Sequence, residues 1–174
     1  MDLKLRGFLS GDTRDLLELA NDECVSSYLA DTFPYPYTAA DANWWITTGC
    51  QAEGQNCLAI EYQGRLAGGV GVTAQSGWRS HIGEIGYWLG QPFWGRGVAT
   101  EAVRQMTELA FSEDGYLKLV APVLAPNIAS MRVLEKNGYV CEGILRREVS
   151  KRGNLYDIHR YARNCSAVQV SSPK

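Results

Sequence analysis

A strand, a glycine-punctuated turn, a long amphipathic helix and a second strand follow one another between His81 and Val123, and no other part of the chain restricts the architecture as much. A helix between two strands of one sheet carries the chain back to the same end, so the strands run parallel with a right-handed connection. His81 to Leu89 reads as the first strand, and Leu117 to Val123 as the second, buried one. Between them, the helix from about Val98 to Phe111 carries Ala99, Ala102, Val103, Met106, Leu109 and Ala110 at helical spacing.

On either side the spacing predicts hairpins. Cys57 to Tyr62 and Leu66 to Thr73 flank Gln63-Gly64-Arg65, and Tyr139 to Val149 and Leu155 to Arg163 flank Lys151-Arg152-Gly153-Asn154. With Leu3 to Phe8 these segments give a mixed, twisted sheet of about seven strands flanked by helices, an α/β (α+β) arrangement. Further helices are predicted over Thr13 to Ala20, capped by Asp12 or Thr13, over Ala39 to Thr48, and over Ile128 to Lys136. Phe33-Pro34-Tyr35-Pro36-Tyr37 is an aromatic loop, because proline lacks an N–H and restricts the residue before it.

At 174 residues the chain is one ordinary domain, expected over 1–164, with a polar tail over 165–174 read as disordered. A composition of 45% hydrophobic and 21% charged residues is that of a soluble globular protein. The formal net charge of -2 gives no basic field for nucleic acid or a membrane surface. No apolar run resembles a signal peptide or a membrane span. Five cysteines, an odd number without a CxxC pair, and two histidines argue against a disulfide framework and a metal site. The expected setting is cytoplasmic.

The turn itself is Trp94-Gly95-Arg96-Gly97-Val98-Ala99-Thr100. Glycines admit positive φ and close approach of a ligand, and a helix start offers unpaired N–H groups. An anion such as a pyrophosphate suits that combination. The turn is neither a Walker loop nor a good dinucleotide fingerprint, since Thr100 stands where the third glycine belongs. Spacing alone leaves a plain strand-to-helix turn equally open.

Glu84-Ile85-Gly86-Tyr87-Trp88-Leu89, the Trp94 to Ala102 segment and Asn127 to Tyr139 occur in that order. Together they resemble the GNAT superfamily of N-acetyltransferases, in particular the ribosomal-protein-alanine N-terminal acetyltransferase (RimJ/RimL-like) branch and its small-molecule relatives. Glu142-Gly143-Ile144-Leu145-Arg146, with Gly153 and Asp157, is also similar to that branch. The resemblance implies acetyl-CoA as co-substrate, no metal, and a cleft where the parallel strands splay apart. It implies that Tyr87, Trp88 and Leu89 pair with the pantetheine arm, while Gly95, Arg96, Gly97, Val98, Ala99 and Thr100 hold the pyrophosphate. Pro92 stands where the superfamily usually has Gln or Arg, a position that contributes little beyond backbone. Homodimerisation is in keeping with the resemblance, although no residue establishes it.

Amine acetylation needs a neutral nucleophile, and a carboxylate at the cleft can take its proton. Glu84 shares a strand face with Ile82, Gly86 and Trp88, an apolar setting expected to raise its pKa. The resemblance makes it the base; a surface or ion-paired strand glutamate is the alternative. Ser130, three residues after Asn127, matches the branch's serine and is the candidate acid, against the reading of a tolerated first-turn residue. Asn127 is both a helix cap and a candidate ligand contact. For the acceptor pocket the candidates are Tyr35, Tyr37 and Trp45, with the loop near Trp78. The expected acceptor is a primary amine, either a protein N-terminus or a small molecule. A non-catalytic acyl-CoA sensor and a nucleotide-binding protein are the alternatives.

Overall fold

The computed structural model describes residues 1–166, so most of the 165–174 tail expectation lies outside the described residues. Seven strands form one sheet: β1 (Leu3–Arg6), β2 (Gln55–Tyr62), β3 (Arg65–Ala74), β4 (Ile82–Leu89), β5 (Lys118–Leu124), β6 (Val140–Lys151) and β7 (Asn154–Asn164). Their order is β1-β2-β3-β4-β5-β7-β6. The β4–β5 pair is parallel and every other pair antiparallel, which is the mixed sheet expected from the sequence. Five helices accompany it: α1 (Thr13–Ala20), α2 (Glu23–Ser26), α3 (Ala39–Thr47), α4 (Val98–Ser112) and α5 (Ile128–Lys136).

The hairpin turns follow their chemistry. Gln63 and Gly64 have φ of 53° and 74°, and Arg152 and Gly153 have 50° and 79°. Two successive positive φ angles are what a two-residue hairpin needs to match strand twist. The β6–β7 hairpin therefore turns at Arg152-Gly153, and β6 runs two residues beyond the predicted Val149. Sequence reading also missed α2, a single turn whose one local signal is the cap. There the Asp22 carboxylate accepts from the Cys24 and Val25 amides at 2.7 and 3.3 Å.

The main core lies between the sheet and α1, α3, α4 and α5. Val70, Val72, Ile85 and Leu119 meet Val98, Val103, Met106 and Leu134 there. Burying such a side chain stabilises the fold by roughly 1.5–3 kcal/mol. Two polar ties fix α4 and α5 within that core. The buried Asn137 amide donates to the Thr100 carbonyl at 3.1 Å, and the Thr107 and Tyr139 hydroxyls pair at 2.8 Å.

The feature that matters most for function is the β4–β5 seam. Its register holds only for Ile82↔Lys118, Gly83↔Leu119 and Glu84↔Val120. Beyond Val120 the strands part, and Pro122, which has no N–H to offer, stands two residues further on. From Ile85 onward β4 pairs with β3 alone.

Candidate active site

A cleft of about 400 Å³ opens where the seam ends. Its walls are the end of β4, the glycine turn, the first turn of α4, one face of α5, and α2 with Tyr28 and Leu29. Of the sequence candidates, Tyr87, Trp88, Leu89, Gly95, Gly97, Val98, Ala99, Thr100, Asn127 and Ser130 line it. Arg96 is exposed and is not among the lining residues.

Gly95 and Gly97 have φ of 72° and 78°, and Gly97 is the N-cap of α4. A Cβ at Gly95 would meet nothing within 4 Å, so backbone conformation rather than crowding asks for glycine there. The Trp94 indole N–H donates to the Leu89 carbonyl at 2.8 Å and pins the turn to the end of β4. Backbone bonding resumes only where the Glu101 amide reaches the Gly97 carbonyl at 3.1 Å. The six amides from Gly95 to Thr100 have no acceptor among the described residues. Consecutive free N–H groups at the positive end of a 15-residue helix form a concavity for an anion.

Arg132 and Lys136, one helical turn apart on α5, also line the cleft, and neither forms an ion pair with a described residue. Sequence reading missed both, although their i,i+4 spacing on one helix face was a usable signal.

Asn127 caps α5 through its side-chain carbonyl, which accepts from the Ser130 amide at 3.1 Å. That cap turns Ser130 towards β4, where its hydroxyl lies 2.8 Å from the Tyr87 hydroxyl. The Tyr87 hydroxyl also donates to the Ser130 carbonyl at 3.1 Å. Burial pushes the Tyr87 pKa well above the ordinary tyrosine value, opposed by the Ser130 hydrogen bond and reinforced by Tyr139. The pair is therefore protonated and part-buried at the cleft wall. The sequence had offered only the Tyr87 backbone.

Glu84 is on the opposite face of β4 from Tyr87, as strand alternation requires. It is exposed, so the desolvated setting expected from its apolar strand neighbours is not found. Instead it lines a second hollow of about 140 Å³, with Gln75, Arg79, Val120, Pro122, Leu145, Ile158 and Arg160. The two hollows thus flank the end of the seam from opposite faces of the sheet.

The aromatic candidates divide differently. Tyr37 is 5% exposed and packs on Phe33 in the core, and Trp45 packs edge-on against Phe8. Tyr35 is half exposed beneath the Arg152 guanidinium, 5.6 Å from its ring centre. None of the three lines either hollow. The loop near Trp78 contributes Gln75 and Arg79 to the second hollow, and Phe33 touches the sheet through Trp88.

Two absences complete the chemistry. Among the described residues no group of three or more His, Cys, Asp or Glu side chains could hold a metal ion, and no helix is long and apolar enough to cross a membrane.

The family described as Acetyltransferase (GNAT) domain matches residues 2–140. The chain belongs to the GNAT acetyltransferase family. Its β4–β5 seam and the cleft beside it are thus features of a GNAT domain. This GNAT domain is 45% identical to "Probable N-acetyltransferase YjcK" of Bacillus subtilis over 69 residues, 40% of this chain and 38% of that protein. The matched segment thus spans less than half of that relative. "Uncharacterized N-acetyltransferase YnaD" of Bacillus subtilis is 25% identical over 92% of both chains. Among solved structures, the ribosomal L7/L12 alpha-N-protein acetyltransferase RimL in complex with coenzyme A superposes with a TM-score of 0.84 at 24% identity, over 97% of both chains. Spermidine N-acetyltransferase from Vibrio cholerae in complex with CoA and spermine gives 0.79 at 22% identity, over 94% of this chain and 95% of that one. At these identities the two structures establish the fold.

Proposed function

We propose that this GNAT domain transfers an acetyl group from acetyl-CoA to a primary amine by direct attack in a ternary complex. The observation that carries the reading is the run of free amides from Gly95 to Thr100 at the cleft, with an unpaired carboxylate just through the seam. Membership of the acetyltransferase family supports it, as do superposed neighbours solved with coenzyme A. Those neighbours act, by name, on a protein α-amine and on a polyamine, which favours an amine acceptor.

The residues fit that donor. The six amides would hold its pyrophosphate, and Arg132 and Lys136 would neutralise further phosphate charge. Tyr87, Trp88 and Leu89, free of β5, would pair with an extended pantetheine arm as a sheet edge pairs with a strand. Acetyl-CoA supplies an activated thioester, so Glu84 need only remove a proton from the amine. The amine nitrogen bonds to the acyl carbon and the carbon–sulfur bond breaks. Glu84 takes the proton from nitrogen, sulfur takes one from the Ser130–Tyr87 hydroxyl pair, and exchange with water then removes the Glu84 proton and restores the one that the pair gave up.

The test is release of free thiol from acetyl-CoA across amines and N-terminal peptides. Glu84→Gln should lower kcat by about 10²–10⁴-fold while coenzyme A affinity stays within about 2-fold, and Ser130→Ala should lower kcat less, because Tyr87 keeps a hydroxyl in place. Undiminished turnover by Glu84→Gln across pH would remove Glu84 from the reaction. Tight acetyl-CoA binding without acetylation of any amine would leave a binding module.

A further inference from the structure

The hollow around Glu84 has a composition that a bare amine does not explain. We infer that the acceptor is a small zwitterion, a primary amine carrying an oxyanion (a carboxylate or a phosphorus oxyacid) a few bonds from the nitrogen. This rests on the acetyl-transfer reading above and names the substrate class of that same site.

Register alone brings the charges together. Glu84 lies opposite Val120, and Pro122 is two residues further along the same face of β5. Arg160 lies opposite Pro122, and Ile158 opposite Leu124 on β5 and Leu145 on β6. Cross-strand neighbours share a face, so Glu84 and Arg160 face one hollow from strands that do not touch. Arg79 enters from the short turn after β3.

One carboxylate and two guanidiniums therefore line about 140 Å³, yet neither arginine forms an ion pair with Glu84 or any other described residue. No side-chain hydrogen bond involving Glu84, Arg79 or Arg160 to a described residue replaces those pairs. The Gln75 side-chain carbonyl, also of this hollow, is buried and accepts no hydrogen bond.

The donors and acceptors sort by charge. Glu84 offers its carboxylate to an ammonium or amine, and Arg79 and Arg160 offer planar forks that match an oxyanion bidentately. A polycation would satisfy Glu84 and be repelled by the two arginines. The volume is well under the about 300 Å³ at which pockets begin to enclose a drug-sized ligand, so the hollow suits the compact reacting end of an acceptor.

The experiment measures kcat/KM at saturating acetyl-CoA for each protein amino acid against its decarboxylated amine, with 1-aminoethylphosphonate and spermidine beside them. The amino acid, or the phosphonate if the anion is a phosphorus oxyacid, should exceed the corresponding amine that lacks the anion by about 10- to 100-fold, the worth of a charge-assisted hydrogen bond. Arg160→Gln and Arg79→Gln should collapse that ratio towards one through KM, and Arg160→Lys should restore part of it. Arg79 sits on an exposed turn, so its variant tests the idea without the risk of misfolding that a sheet residue carries. Decarboxylated amines or spermidine equal to or better than the acids would overturn the inference and leave acetyl transfer standing. If no amine is acetylated, acetyl transfer falls, and calorimetric titration of the same zwitterions into the coenzyme A-loaded protein decides. Binding weakened at least 10-fold by Arg160→Gln upholds the site, and absent or unaltered binding overturns it.

Discussion

The Asp12 carboxylate sits under two hydrogen bonds from the Arg6 guanidinium, at 2.7 and 2.8 Å, and one from the Leu9 amide at 2.8 Å. Burial opposes its charge, but the Arg6 and Leu9 bonds outweigh burial and hold its pKa below the ordinary aspartate value. A folded pKa below the unfolded one means stability that is complete above the unfolded value and lost as pH falls through the folded one. Asp12→Asn should therefore cost about 2 kcal/mol near neutral pH, lowering Tm by roughly 4–8 °C. The gap between the two proteins should narrow below about pH 4. Thermal unfolding at pH 3 to 7 checks it, and a gap independent of pH would assign the loss to packing. At this scale the sequence was a partial guide to the site. Alternation put Glu84 on the strand face of Ile82, Gly86 and Trp88, because a two-residue period needs no tertiary knowledge. Its companions Gln75, Arg79 and Arg160 come from β-strands and turns whose register no local pattern encodes. The Tyr87–Ser130 pair joins residues 43 apart for the same reason. Tyr37 and Trp45 show the converse limit: aromatic density does not separate a core residue from a pocket wall.

Among the elements, α4 and its entry carry the proposed donor site. Gly97→Ala keeps the composition of the turn but places a Cβ on a residue with φ of 78°, at a cost of roughly 1–2 kcal/mol. The expected outcome is a Tm lower by roughly 2–8 °C together with coenzyme A affinity reduced by at least about 10-fold, because relaxing the strain re-aims the amides after it. Differential scanning and isothermal titration read the two effects separately. An affinity equal to the wild type would reduce the turn to a connector. Element types were mostly legible beforehand, since α4 and the hairpins are long, periodic and bounded by glycines. Element ends were less so, as in β6, where a positive-φ arginine at 152 completes the turn in place of a second glycine or asparagine. Single-turn α2 has no period to read, yet it supplies Cys24 and Val25 to the cleft.

For the whole molecule, the seam divides the sheet into a β1–β4 half and a β5–β7 half joined directly by three register pairs. A ligand lying along β4 ties to the turn, α5 and the free strand edge at once. At 100 times its Kd, coenzyme A should stabilise the protein by about 2.7 kcal/mol, which for this length is a Tm rise of roughly 5–10 °C. Hydrogen–deuterium exchange should slow most at Gly95 to Thr100 and along Tyr87 to Leu89 of β4. Uniform slowing across the chain would instead mean that binding suppresses only global unfolding.

That same parting of β4 from β5 places a raw sheet edge inside the protein rather than at its rim. Edges invite any passing extended segment, and natural sheets guard their outer ones with charge, bulges or brevity. Here the guard on the inner edge is architectural. The glycine turn is tacked to Leu89 by the Trp94 indole, and α5 stands over Tyr87 through Ser130. The gap they frame has Tyr87, Trp88 and Leu89 along one side and the glycine turn at its end. On the function proposed above, the donor would be recognised first by a gap in backbone pairing, before any side chain distinguishes one molecule from another.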